Sequence, residues 1–313
     1  MSKIGLGIIG LGYIFNEYYK VISEIKDFEI IGVTTKTNLK SKKFKQINKN
    51  IKIFNNIDQM MIDPKINAVI ILVNPENSFN VIKKVIPYKK IFFTEKPAGL
   101  NYNQAKKLNQ LCLKYKTKNM VGYNRRFYSI FDKGLRYISK IGLYSIFIEG
   151  HERFWNINKN NRSKKLLNNW IYANSSHTID LLRFFAGDFK NINSFKKSVF
   201  HDNADQFSVI LKSNKNILAT YISNWFSPGG WTIKLFGNKK TIIFNPLENG
   251  YILDENLKKT KIKPSKYDII FKPGFYKQMI YFRHLITKNK LKWPAQDISG
   301  SLKTFEIINK ILK

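Results

Sequence analysis

What is scarce in this chain narrows its nature first. Its 313 residues include one cysteine, Cys112, which excludes an internal disulfide. That cysteine lies in a helical pattern and reads as a small core residue. Acidic residues are also few, 21 Asp plus Glu against 54 Lys plus Arg, for a net charge of +33. No apolar run approaches the ~20 residues needed to span a bilayer, so no membrane span is expected. The apolar opening leads straight into a glycine turn without a small-residue cleavage site, so no signal peptide is expected. A cytoplasmic location follows. Internal repeats, low-complexity linkers and a disordered tail are not seen, and no metal site is assigned.

The charge excess resembles a nucleic-acid signal, but its make-up argues otherwise. Lysine greatly outnumbers arginine, and asparagine and isoleucine are abundant, a combination that an AT-rich coding sequence produces. The lysines are scattered, with only modest clusters such as Lys40-Ser41-Lys42-Lys43. An arginine-bearing stripe or an aromatic stacking platform would mark a nucleic-acid reader. No specific nucleic-acid partner is expected, only non-specific adhesion to anionic surfaces at low salt.

Apolar material is ample: 43% hydrophobic and 14% aromatic residues supply enough for packed cores. A single core rarely grows past ~250–300 residues, so two domains are expected. Up to about residue 120, apolar strands alternate with helical patterns, which is the grammar of βαβ units and a parallel sheet. Strands are read at 4–9, 28–34, 51–54, 68–73, 91–94 and 119–123, with helices at 13–25 and 101–115. Beyond Tyr123 the pattern becomes alternating, at 144–149, 207–212, 218–223, 231–236 and 241–244, as in an antiparallel sheet with one covered face. Helices are read at 177–185, 275–286 and 298–312. The expected architecture is an α/β Rossmann domain over 1–121, followed by an α+β domain over 122–313 with a mainly antiparallel open sheet.

Two stretches carry chemistry. Ile8-Ile9-Gly10-Leu11-Gly12 runs from a buried strand into a glycine turn. The first glycine suits a tight turn, and the second lets backbone approach a pyrophosphate at a helix N-terminus. The third fingerprint position, usually Gly or Ala, is Phe15. After the second strand, where an NAD site usually has an acid for the ribose 2′-OH, stand Thr35 and Lys36. A hydroxyl and a cation suit a 2′-phosphate better, so NADP is favoured over NAD. The second stretch is Phe92-Phe93-Thr94-Glu95-Lys96-Pro97, a strand ending abruptly in charge. Both stretches fall at the ligand-binding end of one parallel sheet.

With Glu95-Lys96-Pro97 after the fifth strand, the chain resembles the Gfo/Idh/MocA oxidoreductase family. The resemblance also includes Asn74-Pro75, the stretch from Val121 through Tyr123-Asn124-Arg125-Arg126 to Phe127, and the run from His177 to Gly187. It implies hydride transfer to or from a sugar, cyclitol or nucleotide sugar, and subunit contacts through the second domain's open sheet, hence a homo-oligomer. Ser223–Trp231, Pro246-Leu247-Glu248 and Lys272–Gln278 resemble members found in surface-polysaccharide pathways.

By that resemblance, Lys96 hydrogen-bonds the reacting oxygen, steadied by Glu95 and Pro97 across a bond able to be cis. His177 exchanges the proton, its ring held neutral by a helix N-terminus. Cofactor contacts are expected from Gly10, Gly12, Tyr13, Ile14, Thr35, Lys36, Asn74, Pro75 and Glu95. Substrate contacts are expected from Tyr123, Arg125, Arg126, Trp155, Tyr172 and Asn174; for Arg125 and Arg126 a phosphate of the cofactor or of a nucleotide sugar and an interdomain salt bridge stand as equal alternatives. Trp155, Trp170, Trp225 and Trp231 are candidate sugar platforms, at most two of them at the site. Asp180, one turn after His177, either orients a side chain or caps the helix, and capping is favoured. Two departures stand out: the family's usual aspartate four residues before the histidine is Ala173, and its histidine after the strand-four proline is Phe79. With Phe15, they leave open a catalytically impaired, cofactor-binding regulatory protein on the same scaffold, against which the intact Lys96 and His177 argue.

Overall fold

The computed structural model describes residues 3–36, 44–46, 48, 50–158 and 162–313. The Lys40-Ser41-Lys42-Lys43 cluster lies outside them. The chain divides into two compact units, residues 1–124 with 270–302, and residues 125–269 with 303–313.

The first unit is built on six parallel strands: β1 (Ile4–Ile9), β2 (Phe28–Thr34), β3 (Lys52–Ile53), β4 (Ala68–Ile71), β5 (Ile91–Glu95) and β6 (Asn119–Gly122). Their order is β3-β2-β1-β4-β5-β6. β1, β4 and β6 are buried at every position, which is why they read as unbroken apolar runs. Register pairs Ile9 with both Thr34 and Ile71, and Ile71 with Thr94. Four strands therefore end level at one edge, and the chain reverses direction across the sheet between β1 and β4, where such sheets bind ligands.

Helices α1 (Phe15–Glu24), α2 (Ile57–Ile62), α3 (Pro75–Val85) and α4 (Tyr102–Tyr115) connect the strands. α4 starts where it does because Asn101 Oδ1 accepts the Gln104 backbone N–H at 2.9 Å, satisfying a donor the helix leaves open. Residues 270–302 belong to this unit and not to the expected 122–313 domain. The Phe275–Lys288 helix presents Phe275, Met279, Phe282 and Leu285 as one buried stripe. Phe275 packs on Tyr18 with ring centroids 4.8 Å apart, and Phe282 on Phe93 at 5.6 Å.

The second unit carries β7 (Ser145–Gly150), β8 (Phe189–Lys197), β9 (Gln206–Ser213), β10 (Leu218–Asn224), β11 (Trp231–Gly237), β12 (Lys240–Phe244), β13 (Gly250–Leu253) and β14 (Lys259–Ile262). They form one sheet, β14-β13-β12-β11-β7-β10-β9-β8. Every pairing is antiparallel except β7 with β10. Helices α5 (Ser129–Ile141) and α6 (Ser176–Ala186) belong to the same core, where Phe131 meets Phe185 and Phe244 at 5.5 and 4.7 Å. Along β7 burial alternates, with Ile146 and Ile148 inside, while Phe195 and Ile210 lie exposed elsewhere on the sheet.

The α/β and α+β classes are as the pattern predicts, but α2, α3, α5, β8, β13 and β14 are not read from it. β8 is largely exposed and lacks apolar alternation, and β13 and β14 have only four residues each. α5 carries Gly134 at mid-helix, which reads as a breaker. A Cβ there would lie 2.7 Å from Phe244 Cζ, so the glycine allows the helix to sit close on β12. No described helix is long and apolar enough to cross a membrane.

Candidate active site

A pocket of about 430 Å³ opens at the level edge of the parallel sheet, against Gly10, Gly12, Thr35, Lys36 and Asn74. Gly10 has φ +98°, and a Cβ on it would stand 2.7 Å from the Leu72 carbonyl oxygen. That turn needs glycine, and the bare Cα atoms of Gly10 and Gly12 leave the backbone open to a dinucleotide pyrophosphate. The residues present therefore fit a dinucleotide. Phe15, at the position usually kept small, is buried in an aromatic cluster with Tyr19 and Phe44, at 5.7 and 5.0 Å.

Among the described residues, no acidic one lines the pocket. Lys84 lines it but is paired with Asp58 at 2.6 Å. Lys36 is exposed and forms no ion pair among the described residues. The other residues expected at the cofactor do not line this pocket. Tyr13 is 86% exposed, Ile14 precedes the first turn of α1, Pro75 opens α3, and Glu95 faces elsewhere.

Glu95 ends β5 and organises the approach to Lys96. Its Oε1 accepts a hydrogen bond from the Tyr18 hydroxyl, and its Oε2 accepts the Lys96 backbone N–H at 3.0 Å. Gln278 Nε2 donates to the Tyr18 oxygen at 3.0 Å. The Lys96–Pro97 peptide is cis, and the chain then runs through a buried turn in which Gly99 has φ +94°. Burial pushes the Glu95 carboxyl up, opposed by the Tyr18 hydrogen bond and by the charges of Lys96 and Lys272. Burial, then the Glu95 charge, raises Tyr18 well above its ordinary value, so it remains a neutral donor.

The sign of the pH dependence follows. A carboxyl raised by folding stabilises the fold fully below its unfolded value of about 4.3, and that contribution is lost as pH rises through the higher folded value. Relative to Glu95→Gln, the wild-type chain is expected to lose stability across this interval. Urea midpoints of both proteins between pH 4 and 7 check it; a constant difference between them would refute the assignment.

In the second unit His177 does not stand at an open helix end. A π-helical turn, Ile171–Ser175, runs directly into α6. The helix-terminus reason for a neutral ring therefore fails, because the preceding turn is already helical. Such π-turns are frequent at functional sites. The His177 ring is buried, 6.0 Å from that of Trp231.

Asp180 is not a cap. It receives Arg126 Nε at 2.6 Å and Nη2 at 2.9 Å, and Thr304 Oγ1 at 2.9 Å. Arg126, expected at the substrate, is thereby buried and committed to a carboxylate. Tyr123 is buried with its hydroxyl 3.3 Å from Ser301 Oγ, and Tyr172 packs on Phe305 at 4.9 Å. Trp155 is 37% exposed, and Trp225 is buried, stacked on Phe154.

Arg125 and Asn174 line a second cavity, of about 560 Å³, together with Trp170, Trp231, Arg153 and Arg162. His151, Glu152, Arg153 and Arg162 were missed by the sequence reading. The signal lay in the polar run His151-Glu152-Arg153 directly after an alternating strand. Glu152 is 4% exposed and accepts Asn174 Nδ2 and Ser175 Oγ, both at 2.8 Å. It brings a carboxylate beside the stretch in which Ala173 supplies none. Among the described residues, no group of three or more His, Cys, Asp or Glu is placed to hold a metal ion.

Residues 4–123 match the model of an oxidoreductase family with an NAD-binding Rossmann fold, and residues 146–243 match the GFO/IDH/MocA C-terminal domain. No curated protein sequence matches significantly. Among solved structures, a dehydrogenase from Clostridium difficile superposes with TM-score 0.83 at 20% identity, covering 98% of both chains. An oxidoreductase from Thermotoga maritima gives 0.82 at 18%, covering 99% of this chain and 96% of its own. The UDP-N-acetylglucosamine 3-dehydrogenase of Acidithiobacillus ferrooxidans gives 0.78 at 14%, covering 100% and 97%. With both of its domains matched in order by the family's own, and the glycine turn and Glu95-Lys96-Pro97 at one sheet edge, the chain belongs to the Gfo/Idh/MocA family of oxidoreductases.

Proposed function

We propose that the protein is an NADP-dependent dehydrogenase or reductase acting on a hydroxyl carbon of a sugar, cyclitol or nucleotide sugar, in surface-polysaccharide metabolism. The observation that carries this reading is the glycine-turn pocket sharing a sheet edge with Lys96. A bound nicotinamide would give or take the hydride. Lys96 places a cation at the reacting oxygen, where charge develops, and His177 gives or takes the hydroxyl proton. The nucleotide-sugar option is supported by the fold shared with the UDP-N-acetylglucosamine 3-dehydrogenase. The exposed Phe195 and Ile210 of the second sheet support self-association through that surface.

Preference for NADP rests on Thr35 and Lys36 in a pocket lined by no acid among the described residues. Fluorescence titrations are expected to show NADPH binding at least about tenfold more tightly than NADH, the worth of one charge-assisted hydrogen bond. Lys36→Glu should erase that preference. Equal affinities in the wild type would remove the 2′-phosphate reading, and no binding of either nucleotide would remove the dehydrogenase reading. A second reading, a cofactor-binding regulatory protein, is favoured by Ala173 and Phe79. Cofactor binding without turnover of any sugar would select it.

A further inference from the structure

The arginines of this chain fall into two groups. Arg126, Arg136, Arg183 and Arg283 each pair with an aspartate. Arg125, Arg153 and Arg162 form no ion pair among the described residues, and all three line the one cavity of about 560 Å³ in the second unit. In a chain whose ordinary cation is lysine, this concentration calls for a planar, multidentate donor at that place.

Two of the three are held on aromatic faces. Arg125 lies over the Trp231 ring at 4.3 Å, and Arg162 over Trp170 at 5.3 Å. Stacking fixes the guanidinium plane while leaving its edge N–H groups for an acceptor. Buried donors are also left over: among the described residues, Arg125 Nε and Trp170 Nε1 have no hydrogen-bond partner. Buried polar groups without a partner are rare in native folds, and here both belong to residues lining the same cavity.

Neither carboxylate of the cavity forms an ion pair with these arginines among the described residues: Glu152 accepts from Asn174 and Ser175, and Glu248 from the Tyr128 hydroxyl at 3.0 Å. They leave the arginines' charge uncancelled by direct pairing. The cavity volume lies in the range of small-molecule sites.

From these observations we infer that the second-unit cavity binds an acidic sugar, gripping its oxyanion with Arg125 and Arg162 while Trp170 and Trp231 flank its ring. The oxyanion is the diphosphate of a nucleotide sugar or the carboxylate of a uronic acid; both present coplanar acceptor oxygens to a guanidinium. The inference rests on the proposed sugar oxidoreductase reading and narrows its substrate class. The Trp231 ring has the Arg125 guanidinium at 4.3 Å and the His177 ring at 6.0 Å, which ties the cavity to the proposed proton-exchanging residue.

The test is calorimetric titration of the full chain with three probes, UDP-N-acetylglucosamine, glucuronic acid and N-acetylglucosamine, at low and high salt. An acidic probe is expected to bind at least about tenfold more tightly than the neutral one, with affinity falling as salt rises. Arg125→Gln and, separately, the exposed Arg162→Gln should each weaken it at least about tenfold. Binding of the nucleotide sugar alone identifies a diphosphate, and binding of glucuronic acid alone a carboxylate. Tighter binding of the neutral sugar, binding of no probe, or anion binding untouched by either substitution overturns the inference. Parallel NADPH titrations keep the two readings apart: cofactor binding without acidic-sugar binding sinks only this inference. Tryptophan fluorescence, with four of the five tryptophans in the second unit, shows that each variant is folded.

Discussion

Replacing Lys96 with methionine is expected to lower kcat by about 10²–10³, the loss typical of removing one preorganised group at a developing oxyanion. Methionine keeps most of the stem volume and removes only the cation, so the change isolates electrostatics from packing. NADPH affinity should stay unchanged, because Lys96 does not line the glycine-turn pocket. The backbone at this position should hold as well, since Glu95 Oε2 accepts the residue 96 N–H whatever its side chain. The measurement is steady-state turnover of a sugar found by screening, beside a cofactor titration of the same variant. Unchanged turnover would strip Lys96 of the role, and lost cofactor binding would show that the substitution had disturbed the sheet edge instead.

The second large effect is on stability. Asp180→Ala removes a carboxylate that meets the buried Arg126 guanidinium by two hydrogen bonds. Breaking one side of a buried pair costs about 3–5 kcal/mol. Replacing both partners by apolar residues, Arg126→Met with Asp180→Leu, should recover much of that loss, since the desolvation of two charges is then avoided. Four of the five tryptophans, Trp155, Trp170, Trp225 and Trp231, lie in the second unit. Urea unfolding followed by tryptophan fluorescence therefore reports mainly on that unit. A loss below about 1 kcal/mol for Asp180→Ala, the size of a surface pair, would mean that Arg126 finds another acceptor.

Legibility of the sequence tracks how much of each signal is local. β1, β4 and the glycine turn were readable because a doubly buried strand and a positive-φ turn each leave a mark within a few residues. Lys96 was readable because a strand cannot end in Glu-Lys-Pro without an abrupt change of polarity. Asp180 was misread as a cap because its partner Arg126 lies 54 positions away, and periodicity carries no information about such a partner. Gly134 hid a helix for a similar reason: the Phe244 ring that it makes room for is 110 residues further on. The cavity arginines were partly hidden by composition. Amid so much lysine, single arginines lose contrast, and only their shared cavity singles them out.

The Tyr18–Glu95–Gln278 contact joins residues up to 260 positions apart, and that separation governs the order of events during synthesis. When the ribosome has released residue 124, the whole parallel sheet is available, yet Phe275, Gln278 and Phe282 do not exist. Until they emerge, Tyr18 and Phe93 present aromatic surface without its cover, and the Glu95 carboxylate has a hydroxyl donor that is itself unsupported. The intervening 145 residues, 125–269, belong to the other unit. Translation at roughly 5–20 residues per second holds the unfinished sheet open for several seconds to half a minute. For this chain, the nascent first unit is thus the species most exposed to aggregation and to chaperone capture, and a stop codon anywhere before residue 283 would make that state permanent.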